Sequence, residues 1–191
     1  MKRFSLIFLS CFLLAASCTE SKSVSGARCD QQFWNGTFAT CLPPGWKVLT
    51  QQDLALLGVP EETIAAFQRE EARAGQFDTI SITREPLPQV MSTVEYSDAS
   101  ILNVSRMPQY KLIDKSAVFV DGQQASLHVF TAREGGSDPI RRYYQVSAVS
   151  QGIGFVFTGS FPLSVSESDA NEVLLVMRNI SFTDPRAVKA Q

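Results

Sequence analysis

His128 is the one imidazole in 191 residues, so a serine or cysteine hydrolase built on this chain must use it as its base. It stands between Leu127 and Val129 in an alternating stretch, and the chain contains no Gly-x-Ser-x-Gly elbow. A histidine in that setting reads as structural or as a surface residue. No second metal ligand stands nearby at helical or strand spacing, and there is no Cys-x-x-Cys, so a metal site is not expected. Two pairs of acids, Glu61-Glu62 and Glu70-Glu71, are adjacent in sequence, which on a helix sets their side chains about 100° apart. Neither pair presents two carboxylates to one substrate, and with Arg69 and Arg73 they suggest a solvated helix face. Gly135-Gly136-Ser137 leads into Pro139 and a strand, not into a lysine and a helix, which excludes a phosphate loop. The expectation is a protein with no catalytic set and no cofactor.

Binding is easier to place than catalysis. In the run Arg141-Arg142-Tyr143-Tyr144, strand geometry puts Arg142 and Tyr144 on one face and Arg141 and Tyr143 on the other. Such a pair can grip a carboxylate or a sugar, or form a sheet rim. Phe33, Trp34, Phe38 and Trp46 concentrate aromatic area near the start of the domain. Exposed, they would make a docking patch; buried, they would cover one end of the core. Trp34, Trp46, Arg142 and Tyr144 are therefore the candidate ligand or partner contacts.

The N-terminus says where such a protein works. Met1-Lys2-Arg3 is a short basic start, Phe4 to Ala16 is a nearly unbroken apolar run, and Ala15-Ala16-Ser17 leads into Cys18. That is the layout of a secretory signal, and a run of 13 residues falls short of the roughly 20 needed for a permanent membrane helix. A cysteine directly after the small residues resembles the lipobox of bacterial lipoproteins, which implies removal of residues 1–17 and lipidation of Cys18. Thr19 follows the cysteine in place of Asp. By that resemblance, sorting goes to the periplasmic face of the outer membrane if the source is Gram-negative. Residues 19–28 are small and polar and read as a tether, reaching roughly 35 Å when stretched.

Composition fits one domain in that compartment. Removing 17 of the 191 residues leaves 174, and the loss of Lys2 and Arg3 moves the formal charge from −2 to −4. That balance argues against nucleic acid as a partner. With 45% hydrophobic residues the chain can bury a real core unaided. Cys29 and Cys41 remain after Cys11 and Cys18 are assigned to the signal and the lipid. An even pair in an exported protein reads as a disulfide, the alternative being two buried thiols.

The elements that must carry these residues follow from pattern. Asn35-Gly36 between aromatics predicts a hairpin closed at its base by Cys29 and Cys41. A short helix is expected at 51–57, and a second from Pro60-Glu61-Glu62, through Ile64 and Phe67, to Arg73. Residues 77–83 alternate as a strand. Ser92-Thr93-Val94-Glu95 is a capping box opening a helix to about Arg106, with Val94, Ile101, Val104 and Ser105 on one face. Four strands follow at 110–120, around Ala125 to Val129, 140–150 and 153–160, with Asp121-Gly122 and Gln151-Gly152 as turns. A final helix, capped by Ser166 or Ser168, places Ala170, Val173, Leu174, Met177 and Ile180 on one stripe. The fold class is α+β: an antiparallel meander flanked by helices, with residues 29–185 as one domain, 18–28 as tether and 186–191 as a tail.

This layout resembles the PsbP-like fold, which DcrB-like bacterial lipoproteins are thought to share. The resemblance rests on Pro43-Pro44-Gly45-Trp46, on Asp121-Gly122-Gln123-Gln124-Ala125, and on the closing block from Tyr143-Tyr144-Gln145 through Phe155 to Ser160 and the helix to Phe182. It implies a sheet sandwiched by helices and brings no catalytic residues. The expectation is a lipid-anchored, non-catalytic envelope module that binds or helps assemble a partner protein, or else a small-ligand carrier using a cleft between sheet and helices. If the cysteines are paired, an alkylating reagent will label neither Cys29 nor Cys41 in the untreated protein and will label both after reduction; labelling without reductant would show free thiols.

Overall fold

The computed structural model describes residues 26–73 and 75–187. The signal-like segment, Cys18 and residues 188–191 lie outside the described residues. Nine strands and three helices are seen among those described: β1 (Gln31–Trp34), β2 (Ala39–Leu42), β3 (Trp46–Val48), α1 (Gln51–Leu57), β4 (Thr63–Arg69), β5 (Thr79–Pro86), α2 (Thr93–Val104), β6 (Lys111–Val120), β7 (Gln123–Ala132), β8 (Arg141–Ser150), β9 (Ile153–Phe161) and α3 (Glu167–Arg178). Seven strands form one antiparallel sheet in the order β3-β4-β5-β9-β8-β7-β6, and β1-β2 stands apart as a hairpin. Strands β6 to β9 are a meander that returns to pair with β5, so the last strand in sequence lies in the middle of the sheet.

The two faces of the sheet are chemically unlike. One is apolar: Phe155, Phe157 and Phe161 on β9, Ile80 and Ile82 on β5, and Tyr144 and Val146 on β8 join Phe38 of the hairpin and Val173, Val176 and Met177 of α3 in one buried cluster. Close approach of α3 requires Gly159, where a Cβ would lie 2.8 Å from the Phe161 ring and 3.1 Å from Val173. The expected stripe on α3 is correct in phase, and Ser166 is its cap, with its hydroxyl accepting from the Asp169 N–H at 3.2 Å. The hairpin folds over the same face, closed by the Cys29–Cys41 disulfide and tied on by the Ala39–Ser181 bridge. Thr40 donates its hydroxyl to the Val176 carbonyl at 2.7 Å, joining hairpin to helix.

The opposite face carries α1 and α2. Leu54 of α1 packs with Leu49 and Ala66 over the β4 end. Helix α2 has the predicted capping box, Ser92 with Glu95, but only part of the predicted apolar face, with Val104 packed beside Phe130 and Tyr143. Its buried residues are Thr93, Tyr96 and Ser97, while Val94 is exposed. The reason is hydrogen bonding: the Thr93 hydroxyl accepts from the Val149 N–H at 3.1 Å, and the Ser97 hydroxyl from the Ser126 N–H at 3.1 Å. The helix is fastened to the strands by hydroxyls. Tyr96 packs closely on Gly154, where a Cβ would stand 2.4 Å from its ring.

The helix expected at residues 60–73 is a strand. Pro60 does start a turn, with the Thr63 N–H bonded to the Pro60 carbonyl at 2.9 Å, but the chain then extends as β4. Helix-favouring residues lose here to burial, because β4 is paired on both edges and covered on both faces. Thr63, Ala65, Phe67 and Arg69 alternate as buried residues, and Ala66 packs toward α1.

Arg69, expected on a solvated helix face, is instead buried in β4, 8% exposed. Its Nε donates to Asp78 at 3.0 Å, and its Nη2 donates to Asp169 at 3.1 Å and Glu172 at 2.6 Å. Its guanidinium also lies 5.3 Å from the Trp46 ring centroid, and the Trp46 indole N–H bonds to Glu172 at 2.9 Å. Burial alone would raise the Asp169 carboxyl, but the Ser166 hydroxyl and Arg73 outweigh it and hold the group below its ordinary value. Arg69→Ala leaves Asp78 buried without its cation and Asp169 with Arg73 alone, which costs about 3 kcal/mol. The melting temperature should fall by roughly 10 °C, checked by circular dichroism; a fall of only a degree or two would show that the network is solvated.

Candidate functional site

The face carrying α1 and α2 is only partly covered. Between the two helices the central strands β5 and β9 are open, and their outward residues floor a cleft. The spacing of side chains along a strand puts Thr79, Ser81 and Thr83 on that floor from β5. Strand β9 adds Val156, Thr158 and Ser160, and the register pairs Thr79 with Ser160, Ser81 with Thr158, and Thr83 with Val156. The larger part of the cleft, about 570 Å³, lies against α2, where Tyr96, Ala99, Asn103 and Val104 form the wall. A second part of about 370 Å³ lies against α1, walled by Leu54, Leu57, Val59 and Phe77. Both are floored by Thr158.

The ionic groups around the cleft are largely engaged within the protein. Tyr96 donates its hydroxyl to Glu85 at 2.7 Å, and burial together with that carboxylate pushes its phenol well above the ordinary range. Tyr143 donates to Glu134 at 3.1 Å, and burial and Glu134 raise it in the same way. Arg141 donates to the Ser160 hydroxyl at 2.7 Å, to Gln76 and to the Phe77 carbonyl. Gln145 is different. It is 6% exposed and lines the α2 end; its amide N–H₂ donates to Thr158 at 3.3 Å, while its Oε1 has no partner.

One polar row crosses the sheet at this level: Lys115, His128, Gln145, Thr158 and Ser81 are successive cross-strand partners. His128 is 1% exposed, with its Nε2 2.8 Å from the Tyr110 hydroxyl and its ring stacked 4.6 Å from Phe130. Burial first, and then Lys115, push its pKa down to about 4, so the imidazole is neutral at pH 7. Its Nδ1 is buried without a partner.

Of the residues singled out in the sequence, Trp46 and Tyr144 are core, 5% exposed each, so neither offers a surface to a partner. Trp46 is held by Arg69 and Glu172, and Tyr144 packs edge-on against Phe161 at 5.6 Å. Trp34 and Arg142 are half-buried, Trp34 on the hairpin and Arg142 on the α3 face of β8. Phe38 is fully buried and packs edge-on against Phe157 at 5.2 Å. The aromatic cluster near the tether thus covers one end of the core. Sequence reasoning missed Gln145 and the hydroxyl floor. The signal was present in Thr79-Ile80-Ser81-Ile82-Thr83, where one face of a central strand carries hydroxyls only.

Among the described residues, no group of three or more His, Cys, Asp or Glu is placed to hold a metal ion, and no helix is long and apolar enough to cross a membrane. No family model matches the chain, and no curated protein matches its sequence. Solved structures do match. The solution structure of cyanobacterial PsbP (CyanoP) from Synechocystis sp. PCC 6803 superposes with a TM-score of 0.54 at 15% identity, covering 85% of this chain and 96% of that one. The fold is PsbP-like. LpqN of Mycobacterium tuberculosis, involved in cell envelope biogenesis, gives a TM-score of 0.54 at 12% identity over 77% of this chain and 83% of its own. The PsbP-like core is the sheet with its helices on both faces, as the sequence resemblance implied.

Because the folded His128 titrates near 4 and an unfolded histidine near 6.5, the unfolded state binds the extra proton between those values. Stability from this group is complete above about pH 6.5 and is lost as pH falls toward 4, by roughly 3 kcal/mol. Urea unfolding midpoints should drop across that window and drop less in His128→Phe. Identical acid limbs in both proteins would exclude His128 as the cause.

Proposed function

We infer that the protein is a lipid-anchored module of the bacterial cell envelope that works by binding a ligand in the cleft between α1 and α2, with no chemistry of its own. The anchor reading rests on the basic start, apolar run and small residues before Cys18. The envelope setting is supported by the fold shared with LpqN. The observation that carries the binding role is the cleft itself, about 570 Å³ at its larger end, where Glu85 is engaged by Tyr96 and where the floor it shares with the α1 end is mostly hydroxyls. The sole histidine supports a non-catalytic reading, since it is neutral, buried and occupied by Tyr110.

An accessory module that docks a partner protein was the leading expectation from sequence. That expectation rests on the anchor, the single domain and the lack of a catalytic set, and burial of Trp46 and Phe38 takes two of the four aromatics from any docking patch. The cleft favours the ligand-carrier reading. Full-length protein extracted from membranes in mild detergent should carry a small-molecule adduct in native mass spectra. The adduct should be absent from Thr83→Trp, which fills the cleft, and Cys18→Ala should move the protein out of the membrane fraction. Bare protein in both spectra, or turnover of a hydrolase substrate that His128→Ala abolishes, would sink the reading.

A further inference from the structure

We propose that the cleft takes an uncharged, N-acetylated oligosaccharide laid along β5 and β9, with Gln145 as its deepest polar contact. This rests on the reading of the cleft as a binding site and adds the chemistry of the occupant.

Three features select that chemistry. The floor presents two rows of hydroxyls, Thr79, Ser81 and Thr83 on one strand and Thr158 and Ser160 on the next. Same-face residues along a strand recur about every 7 Å, and the strands stand about 4.8 Å apart. Each hydroxyl both donates and accepts, so the floor best matches ligand groups that do the same, which are other hydroxyls. A carboxylate or ammonium would find Glu85 taken by Tyr96, Glu134 by Tyr143, and Arg141 by Ser160, Gln76 and Phe77. Arg84 lines the α2 end together with Glu62 and Glu85, so charges of both signs stand there and that end has no strong field of one sign.

The walls supply the second feature. Phe77, Leu57 and Val59 on one side, and Tyr96, Ala99 and Val104 on the other, offer apolar surface to the C–H faces of pyranose rings. Phe77 is 41% exposed and Leu57 60% exposed, so both are available to a ligand.

Gln145 supplies the third. A buried acceptor without a donor is costly, and native proteins satisfy nearly all such groups. Gln145 lines the α2 end of the cleft, and its Oε1 is buried with no protein donor. An acetamido N–H or a sugar hydroxyl reaching the floor beside Thr158 would provide one. His128, the next residue in the row, is already held by Tyr110 and lies beyond the cleft lining.

The test is calorimetric titration of the full-length protein in lipid nanodiscs with a tetramer of β-1,4-linked N-acetylglucosamine. Its de-acetylated, cationic counterpart and an uncharged extended tetrapeptide serve as comparison ligands. The expected result is saturable one-to-one binding of the acetylated chain alone. Binding should be weakened about tenfold by Gln145→Leu and abolished by Thr83→Trp, with both variants melting as cooperatively as the parent. Equal binding of the de-acetylated chain would overturn the role given to the acetamido group. Binding of the peptide alone would overturn the sugar while leaving the cleft as a binding site. Binding of the acetylated chain unaffected by either substitution would place it elsewhere and overturn the proposal. Failure of all three ligands, where native spectra still show an adduct lost in Thr83→Trp, would overturn the sugar and keep the site.

Discussion

A single buried guanidinium holds the two ends of this domain together. Arg69 leaves β4 on the same face as Phe67 and meets Asp78 from the start of β5 and Asp169 and Glu172 from α3. Those acids are far apart in sequence, and no other described cation reaches Asp78. Burying carboxylates is tolerable only with a partner in good geometry, and the planar fork of arginine bonds several oxygens at once. The helix that closes the apolar face is thereby fixed in position and in direction. Trp46 completes the arrangement by covering the guanidinium and donating to Glu172.

With α3 and the hairpin sealing one face, the other face is left to shorter means. Helix α1 covers the β4 end, α2 covers β7 and β8, and the strands between them keep hydroxyls where a covered sheet would carry aliphatics. The division is visible in β9, whose residues alternate between phenylalanine on one side and Gly154, Val156, Thr158 and Ser160 on the other. A sheet with one greasy and one hydroxylated face needs helices on the first for stability and has room on the second for something else. The cleft follows from that asymmetry.

The meander, its turns and the terminal helix were legible because their signals are local. Asp121-Gly122 and Gln151-Gly152 make turns between strands whose alternation is strong, and Ser166 caps a helix with a clear stripe. The capping box at Ser92 was equally local. Residues 60–73 were not, because Ala65, Ala66 and Gln68 favour a helix in isolation and became a strand only when two neighbouring strands and two layers claimed them. The face of α2 was misread for a related reason. Thr93 and Ser97 are buried as donors and acceptors to strand backbone, a use that hydrophobic periodicity does not register. Of the candidate contacts, Arg142 and Tyr144 were correctly set on one face, but nothing in their sequence said that this face would be covered.

Turn chemistry, capping and period-two alternation act between near neighbours, so the secondary elements of the C-terminal half and the α+β class can be read from the chain alone. Which face of each strand is buried, where Arg69 finds its acids and which polar groups line the cleft are settled by long-range packing. Those outcomes depend on residues such as Gln76 and Arg141, or Gln145 and Thr158, meeting across strands. Pairing at that range is set by the order of strands in the sheet, and strand order is settled by the burial of the whole chain at once.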